Sequence, residues 1–303
     1  MTLLIETAVE LGLISSLTVL ALFLSYTMLN ICDLSTDGCF TLGAAAGAVV
    51  AISGHPYLSI LAALLAGCAS GFITAFLQTK MGIDSLLSGI IVNTALFSIN
   101  IAIMGNSSLL NMNKTVTVFT LLKDALSESL LTGKQTLIIA FIAVALVLIF
   151  LNVFLRTRLG IAIRATGNNP AMVKSSSINP TIMITIGLCL SGAFCALSGC
   201  LLAQSQKSVN IDIGQGMLTI SLASLLIGNI FSSSASSIRV RSICAVIGTI
   251  IFRLVYTFAL RLNMPAYMLK LVSSIIVIIA IAGPYLKKNY PLYRRKIEGR
   301  KAC

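Results

Sequence analysis

Nine apolar stretches succeed one another along this chain, at residues 11–30, 38–53, 57–78, 85–104, 136–155, 181–203, 216–231, 243–260 and 268–286, with short polar connections between most of them. About 20 apolar residues in helical form cover the ~30 Å hydrocarbon core of a bilayer, where no water satisfies a backbone amide or carbonyl. A helix satisfies those groups within its own segment, so the succession predicts an all-α fold, a polytopic transmembrane helical bundle of about nine spans. The stretch at 38–53 is short for a full crossing and predicts a tilted or partly re-entrant helix. With 57% hydrophobic and 10% charged residues among 303, and a mean hydropathy of +1.00, a soluble globular domain is excluded. The opening residues carry Glu6 and Glu10, but no basic region and no small-residue cleavage pattern, so the first stretch is expected to remain as a span.

A net charge of +12 would suit nucleic acid, but the placement of that charge decides otherwise. Alternate connections, around Lys80, at 156–180, at Arg239 and Arg241 and at 287–301, hold 14 of the 21 Lys and Arg residues. Charge strung along one side of a bundle, with few aromatics beside it, is not a nucleic-acid face, and no nucleic-acid partner is expected. Cytoplasmic loops collect positive charge, so the asymmetry predicts an external N-terminus and a cytoplasmic C-terminus. The tail, with Lys287, Lys288, Arg294, Arg295 and Lys296, reads as an anchor to membrane lipids. On the outer side, residues 115–131 suit an interfacial helix or a solvated loop.

The longest basic connection, 156–180, carries a helix signal of its own. Asn168 and Asn169 are N-cap types, Pro170 suits the first helical position and Asn179-Pro180 is a stop, so about two turns are expected over 170–177. Ala171-Met172-Val173 would give that helix an exposed apolar face, and so short a helix is not stable alone. Two readings are open: a helix that docks a partner, or a connecting loop whose Arg156, Arg158, Arg164 and Lys174 serve orientation. The run Leu159-Gly160-Ile161-Ala162-Ile163-Arg164-Ala165-Thr166-Gly167-Asn168-Asn169-Pro170 resembles the coupling-loop signature of membrane subunits of ATP-binding-cassette importers. The resemblance is to the permease family that serves branched-chain amino acids, ribose-type sugars and related solutes, and within it to a branch with tryptophan- and tyrosine-type uptake systems. It extends over roughly residues 11–286. It implies that Arg164, Ala165, Thr166, Gly167, Asn168, Asn169, Pro170, Ala171, Met172 and Val173 form a coupling helix seated in a groove of a cytoplasmic ATPase.

Other elements carry polar groups to lipid depth. Asp33-Leu34-Ser35-Thr36-Asp37-Gly38, followed by Phe40-Thr41-Leu42-Gly43-Ala44, resembles the element at the start of the second helix of the same family. By their chemistry Asp33 and Ser35 suit a cap at a broken-helix junction, and contact with a solute is the other reading. Asn93 and Asn100 share one helical face and are expected to bond between helices or line a pathway. Asn229 stands where the resembled branch has an acidic residue. Arg253, about ten residues into its span, would cost ~2.5–3.5 kcal/mol unpaired, and Asp84, Asp212 or a backbone carbonyl are the candidate partners. Asp33, Ser35, Asn93, Asn100, Asn229 and Arg253 are thus the expected translocation-path residues.

Gly43-x3-Gly47, Gly67-x3-Gly71 and the small face Gly187, Ser191, Gly192, Ser198 and Gly199 predict close helix contacts and hint at inverted repeats. His55 reads as a turn residue, and the eight cysteines, without a CxxC pair, read as packing groups, so no metal site is expected. The chain has no GxxxxGK[ST] phosphate loop, so it is expected to be no enzyme and to bind no cofactor, with ATP and Mg used by a partner ATPase.

A single permease domain is expected, with spans over 11–155, the coupling loop at 156–180, spans over 181–286 and a basic tail at 287–303. The resemblance implies ATPase subunits, an extracytoplasmic solute-binding protein and a second copy or homologous permease as partners, in a bacterial cytoplasmic membrane. The solute it implies is an amino acid, aromatic in the resembled branch, with a nucleoside or sugar as the alternative. Two rival classes stay open. A secondary transporter wants an embedded acid or His, whereas every acid here lies at or near a predicted span end; a non-transporting scaffold needs no polar residues at depth.

Overall fold

Each apolar stretch within the described residues forms a helix, as a backbone away from water requires. The computed structural model describes residues 2–113, 115–125, 135–232, 237–261, 271, 273–278 and 282. α1 (Thr2–Leu22) runs on into a π-helical turn (Phe23–Met28) and is followed by α2 (Thr36–Ile52), α3 (Pro56–Thr79) and α4 (Ser85–Ile103). A short strand β1 (Leu109–Asn111), α5 (Val118–Ala125) and α6 (Gln135–Phe154) lead to two small helices, α7 (Arg158–Asn168) and α8 (Pro170–Ser175). Then come α9 (Pro180–Gln206), β2 (Ser208–Asn210), a 3-10 turn (Ile211–Gly214), α10 (Met217–Phe231) and α11 (Ile238–Arg261).

Seven of these segments are long and apolar enough to cross a membrane, and α2, at 17 residues, is the short one that the sequence singles out. The basic tail lies outside the described residues, as do 11 of the 19 residues of the expected ninth span and residues 126–131 of the 115–131 segment. One boundary differs from expectation. The first span begins at Ile5, so Glu6 and Glu10 lie within the helix rather than ahead of it. Glutamate is a good helix former, and a pair four apart stays on one face.

α9 is the central helix, 27 residues or ~40 Å long. Its small residues let three neighbours come close. Antiparallel α3 sets Gly67 on Gly192 and Gly71 on Leu188; parallel α2 sets Gly43 on Ala196 and Gly47 on Cys200, with Gly199 against Phe40. α1 runs antiparallel, tied by Ser191 Oγ donating to the Ala21 carbonyl (2.9 Å) and Ser198 Oγ to that of Ile14 (2.7 Å). At each glycine a Cβ would fall on neighbouring atoms, so the sequence pattern sets the helix spacing.

The two halves repeat one another in inverted order. α1, α2 and α3 form one set and α9, α10 and α11 the other; α9 packs on α3 as α1 packs on α11, and α2 lies on α9 as α10 lies on α1. At one end of the bundle β1 pairs with β2 in antiparallel register, Leu110 opposite Val209. Near it Gln204 accepts from the Val118 amide (3.1 Å) and donates to Ser59 Oγ (2.7 Å). At the other end α7 packs on α9 and on the π-helical turn.

Candidate functional site

α2 does not start at an end of the bundle. Cys39 Sγ donates to the Gly192 carbonyl (3.4 Å) and Cys195 Sγ to that of Thr36 (3.3 Å), which sets the first turn of α2 level with the middle of α9. The start of α10 meets it there. One carboxylate oxygen of Asp37 accepts from the Gly216 amide (3.0 Å) and the other from the Leu218 amide (2.7 Å). From this junction α2 runs toward the end where β1 and β2 pair, and α10 toward the end that carries α7. The latter direction follows from Gly228 lying against Cys244 and Ala245, and from Ser242 bonding Asn152 near the end of α6 (3.1 Å).

Two helix N-termini thus converge at half depth, each with amides that lack an intrahelical partner and a positive end of its macrodipole. A carboxylate answers both needs, and Asp37 supplies it for α10.

α4 closes the side of this junction. Asn93 Oδ1 accepts from the Gly38 amide (2.7 Å), and Asn100 Nδ2 donates to the Gly38 carbonyl (3.1 Å). Gly38 has no room for a side chain, since a Cβ would stand 2.7 Å from Asn93 Oδ1 and 3.1 Å from Leu96 Cβ. Between α2, α4 and the turn before α10 lies a cavity of about 230 Å³. Asp37, Thr41, Asn93, Thr94, Asn100 and Gln215 are its polar lining, and Phe97 and Ile211 its apolar lining. Both asparagines bond between helices, one of the two expected readings, and both line this cavity.

The other expected pathway residues lie elsewhere. Asp33 and Ser35 are buried and do not line the cavity; Asp33 Oδ1 accepts from the Ser35 amide (2.9 Å) and Ser35 Oγ (2.6 Å), closing the turn that precedes α2. Ser35 makes no side-chain cap to the helix. Asn229 sits near the far end of α10, 13 residues and thus ~20 Å from Gly216. Arg253 donates from Nε to Ser15 Oγ (3.2 Å) and reaches Met217 Sδ (3.9 Å), beside the first turn of α10. Neither acid proposed for it is its partner: Asp84 caps α4 through the Leu86 amide (2.9 Å), and Asp212 accepts from Gln215 (2.5 Å).

Asp37 is the residue that sequence reasoning missed. It begins an apolar stretch and so looks like a span-end acid, yet the stretch begins at half depth. The signal was its place at the start of a short span, where a broken helix puts its first turn inside the bundle.

The segment 156–180 forms two helices where one was expected. α7 starts at Thr157, whose Oγ1 accepts from the Gly160 amide (3.3 Å), and buries Ala162, Ile163 and Thr166. Gly160 lies on the Phe154 and Leu155 backbone and Gly167 on that of Met28 and Leu29, so both glycines seat α7 on the bundle end. Asn168 ends α7, and Asn169 alone caps α8, accepting from the Ala171 and Met172 amides (3.1 Å each). α8 stops at Ser175, two residues earlier than expected. Met172 is 67% exposed but Val173 only 3%, so the expected apolar face of three residues is reduced to Ala171 and Met172. An α helix of one and a half turns turns successive side chains by 100°, and the third points back to the bundle.

Two short helices, of 17 and 15 residues, that meet N-terminus to N-terminus beside a polar cavity, inside a bundle of membrane-length helices, are the architecture of a multi-pass membrane transport protein. The chain belongs to the family of permease components of branched-chain amino acid transport systems, whose family model matches residues 4–281. It is 33% identical over 273 residues to the tyrosine transport system permease protein of Clostridioides difficile (strain R20291), covering 89% of this chain and 88% of that one. An uncharacterized protein of Rickettsia prowazekii (strain Madrid E) is 29% identical, over 91% of this chain and 96% of its own. The nucleoside ABC transporter permease protein NupC of Lactococcus lactis subsp. cremoris (strain MG1363) is 27% identical, over 66% and 67%. No solved structure matches the chain.

Proposed function

We propose that this permease is the membrane-spanning subunit of an ATP-binding-cassette importer that carries a small solute, an amino acid, from an external binding protein into the cytoplasm. The observation that carries the reading is the α7–α8 unit. α8 holds Ala171 and Met172 outward on a helix too short to persist without its cap and its neighbours, which suits a groove on an ATPase. α7, pressed by Gly167 onto Met28 and Leu29, couples that contact mechanically to α1 and α9. Closure of the ATPases around ATP and Mg moves α8, and α7 passes the displacement to the two central helices, which rock the half-helix junction between outward and inward access. The chain's own part is positional: its residues seat the ATPase and shape the path, and the hydrolysis belongs to the partner. A second copy or a homologous permease encloses the path from the other side. The cytoplasmic side is the one with α7 and α8, which leaves the N-terminus outside.

The amino acid assignment leans on the tyrosine-transport relative. The nucleoside-transport relative supports a nucleoside as the second reading. The test is co-purification of the full chain with the ATPase encoded beside it. Met172→Asp is the informative variant, because Gly167 lies against backbone and a substitution there would unseat α7 itself. Wild type is expected to hold the ATPase and Met172→Asp to lose it by about tenfold or more, as for a central apolar anchor. Retention by the variant, or no ATPase with wild type, overturns the docking role. Uptake that needs ATP and survives collapse of the ion gradients separates the importer from a secondary transporter, a distinction that Asp37 at half depth makes necessary.

A further inference from the structure

We infer that the cavity between α2, α4 and the turn before α10 is a recognition subsite for the protonated amino group of the solute, with Asp37 and Asn100 as its principal acceptors. The inference rests on the reading that this chain carries an amino acid and adds which end of it the permease holds.

Each oxygen of Asp37 accepts one backbone amide, from Gly216 or Leu218, which leaves a lone pair on each for the cavity. Asn100 spends its Nδ2 on the Gly38 carbonyl, yet its Oδ1 is buried without a hydrogen-bond partner, in a side chain only 1% exposed on the cavity wall. A buried acceptor left in that state is costly, and a donor supplied by a ligand removes the cost. Thr41 Oγ1 donates back to the Asp37 carbonyl (3.1 Å) and so can only accept from the cavity. Asn93 Oδ1, engaged once by the Gly38 amide, keeps its second lone pair.

The polar wall therefore combines one negative charge with several free acceptors, its only donors are neutral groups such as the Asn93 and Gln215 side-chain amides, and none of the lining residues is Lys, Arg or His. An ammonium, with three donors and one positive charge, is its complement. A carboxylate or phosphate is not, because Asp37 already occupies the α10 N-terminus and would repel a second anion. A neutral nucleoside leaves the carboxylate without a countercharge. A polyvalent metal ion would find a single carboxylate, Asp37, among the lining residues, which is less charge than such an ion carries. The volume of about 230 Å³ suits one small solute. Phe97 and Ile211, which also line the cavity, offer the apolar surface that an amino acid side chain needs.

The experiment is saturation-transfer NMR on the full chain in lipid nanodiscs with three probes: L-tyrosine, tyramine, which lacks the carboxylate, and N-acetyl-L-tyrosine, which lacks the ammonium. Binding of tyrosine and tyramine, with N-acetyl-tyrosine at least about tenfold weaker, is the expected result. Asn100→Leu should weaken tyrosine and tyramine alike by about tenfold. The wild-type series tests the idea even if that variant does not fold. Equal binding of N-acetyl-tyrosine, tyrosine binding without tyramine, or no binding of any probe overturns the subsite. These outcomes are independent of ATPase co-purification. An ATPase that associates while the amines fail to bind leaves the importer standing without the subsite; bound amines with no ATPase do the reverse.

Discussion

Gly43→Ala adds one methyl group at the α2–α9 contact, and its effect can be worked out from two opposing terms. In a helix free of neighbours the change stabilises by ~0.8–1.0 kcal/mol through propensity. Here the added Cβ falls on the carbonyl oxygen, Cα and carbonyl carbon of Ala196, which are main-chain atoms of a neighbouring helix and cannot rotate aside. Overpacking costs ~1–3 kcal/mol, and with backbone as the obstacle the upper half of that range applies, leaving a net loss of about 1–2 kcal/mol. Gly47→Ala is the internal comparison. Its obstacle is first the Sγ of Cys200, a side-chain atom, with Cys200 Cβ at 3.1 Å, so the two terms come close to cancelling at about 0–1 kcal/mol. The chain has no tryptophan, but Cys39, Cys195, Cys200 and Cys244 are buried, so a thiol-reactive fluorogenic dye reports unfolding as these groups become exposed. Gly43→Ala should expose them at a temperature lower by about 2–6 °C, with Gly47→Ala between it and wild type. A Gly43→Ala protein as stable as wild type, or more so, would show that α2 and α9 are not in backbone contact, and the half-depth start of α2 would lose its main support.

Two further outcomes follow from single residues. Asn169→Ala removes the side chain that accepts from Ala171 and Met172 and should cost α8 about 0.5–2 kcal/mol. Hydrogen exchange is then faster at 171–175 and unchanged in α7, which its glycine contacts hold in place; equal acceleration of both helices would count against separate anchoring. Arg253→Leu replaces a charge whose neighbours are Ser15 Oγ and Met217 Sδ with an apolar side chain, a change that is neutral or stabilising by up to ~4 kcal/mol when a buried cation has no strong partner. The thiol-exposure assay should show no loss of stability, and a loss above about 1 kcal/mol would mean that Arg253 is held by something stronger than Ser15.

Much of the architecture is legible in residue order. The spacing of apolar stretches forecasts the membrane-length helices, because a helix that meets its own hydrogen bonds is a local solution to the absence of water. The glycines at 43, 47, 67, 71, 187, 192 and 199 forecast which faces meet, because small residues at helical spacing mark where backbones approach. The Asn169-Pro170 pair forecasts α8 through capping chemistry that reaches no further than three residues.

Depth and partnership are another matter, since both relate residues far apart in the chain. Nothing near Asp37 says that its helix starts level with Gly192, or that residues 216 and 218 will present their amides to it; those contacts exist only once α2 and α10 have packed against α9 and α1. The same holds for Val173, turned inward by the seat that α7 takes on Met28 and Leu29, and for Arg253, whose neighbour lies 238 residues away. The sequence by itself determined the class of fold, the spans and the two elements whose residues resemble a known family, because these follow from local hydrogen bonding and side-chain size. Only the tertiary structure decided that a charge at the edge of an apolar stretch becomes a carboxylate at the centre of the bundle, because depth is set by the packing of helices and not by position along any one of them.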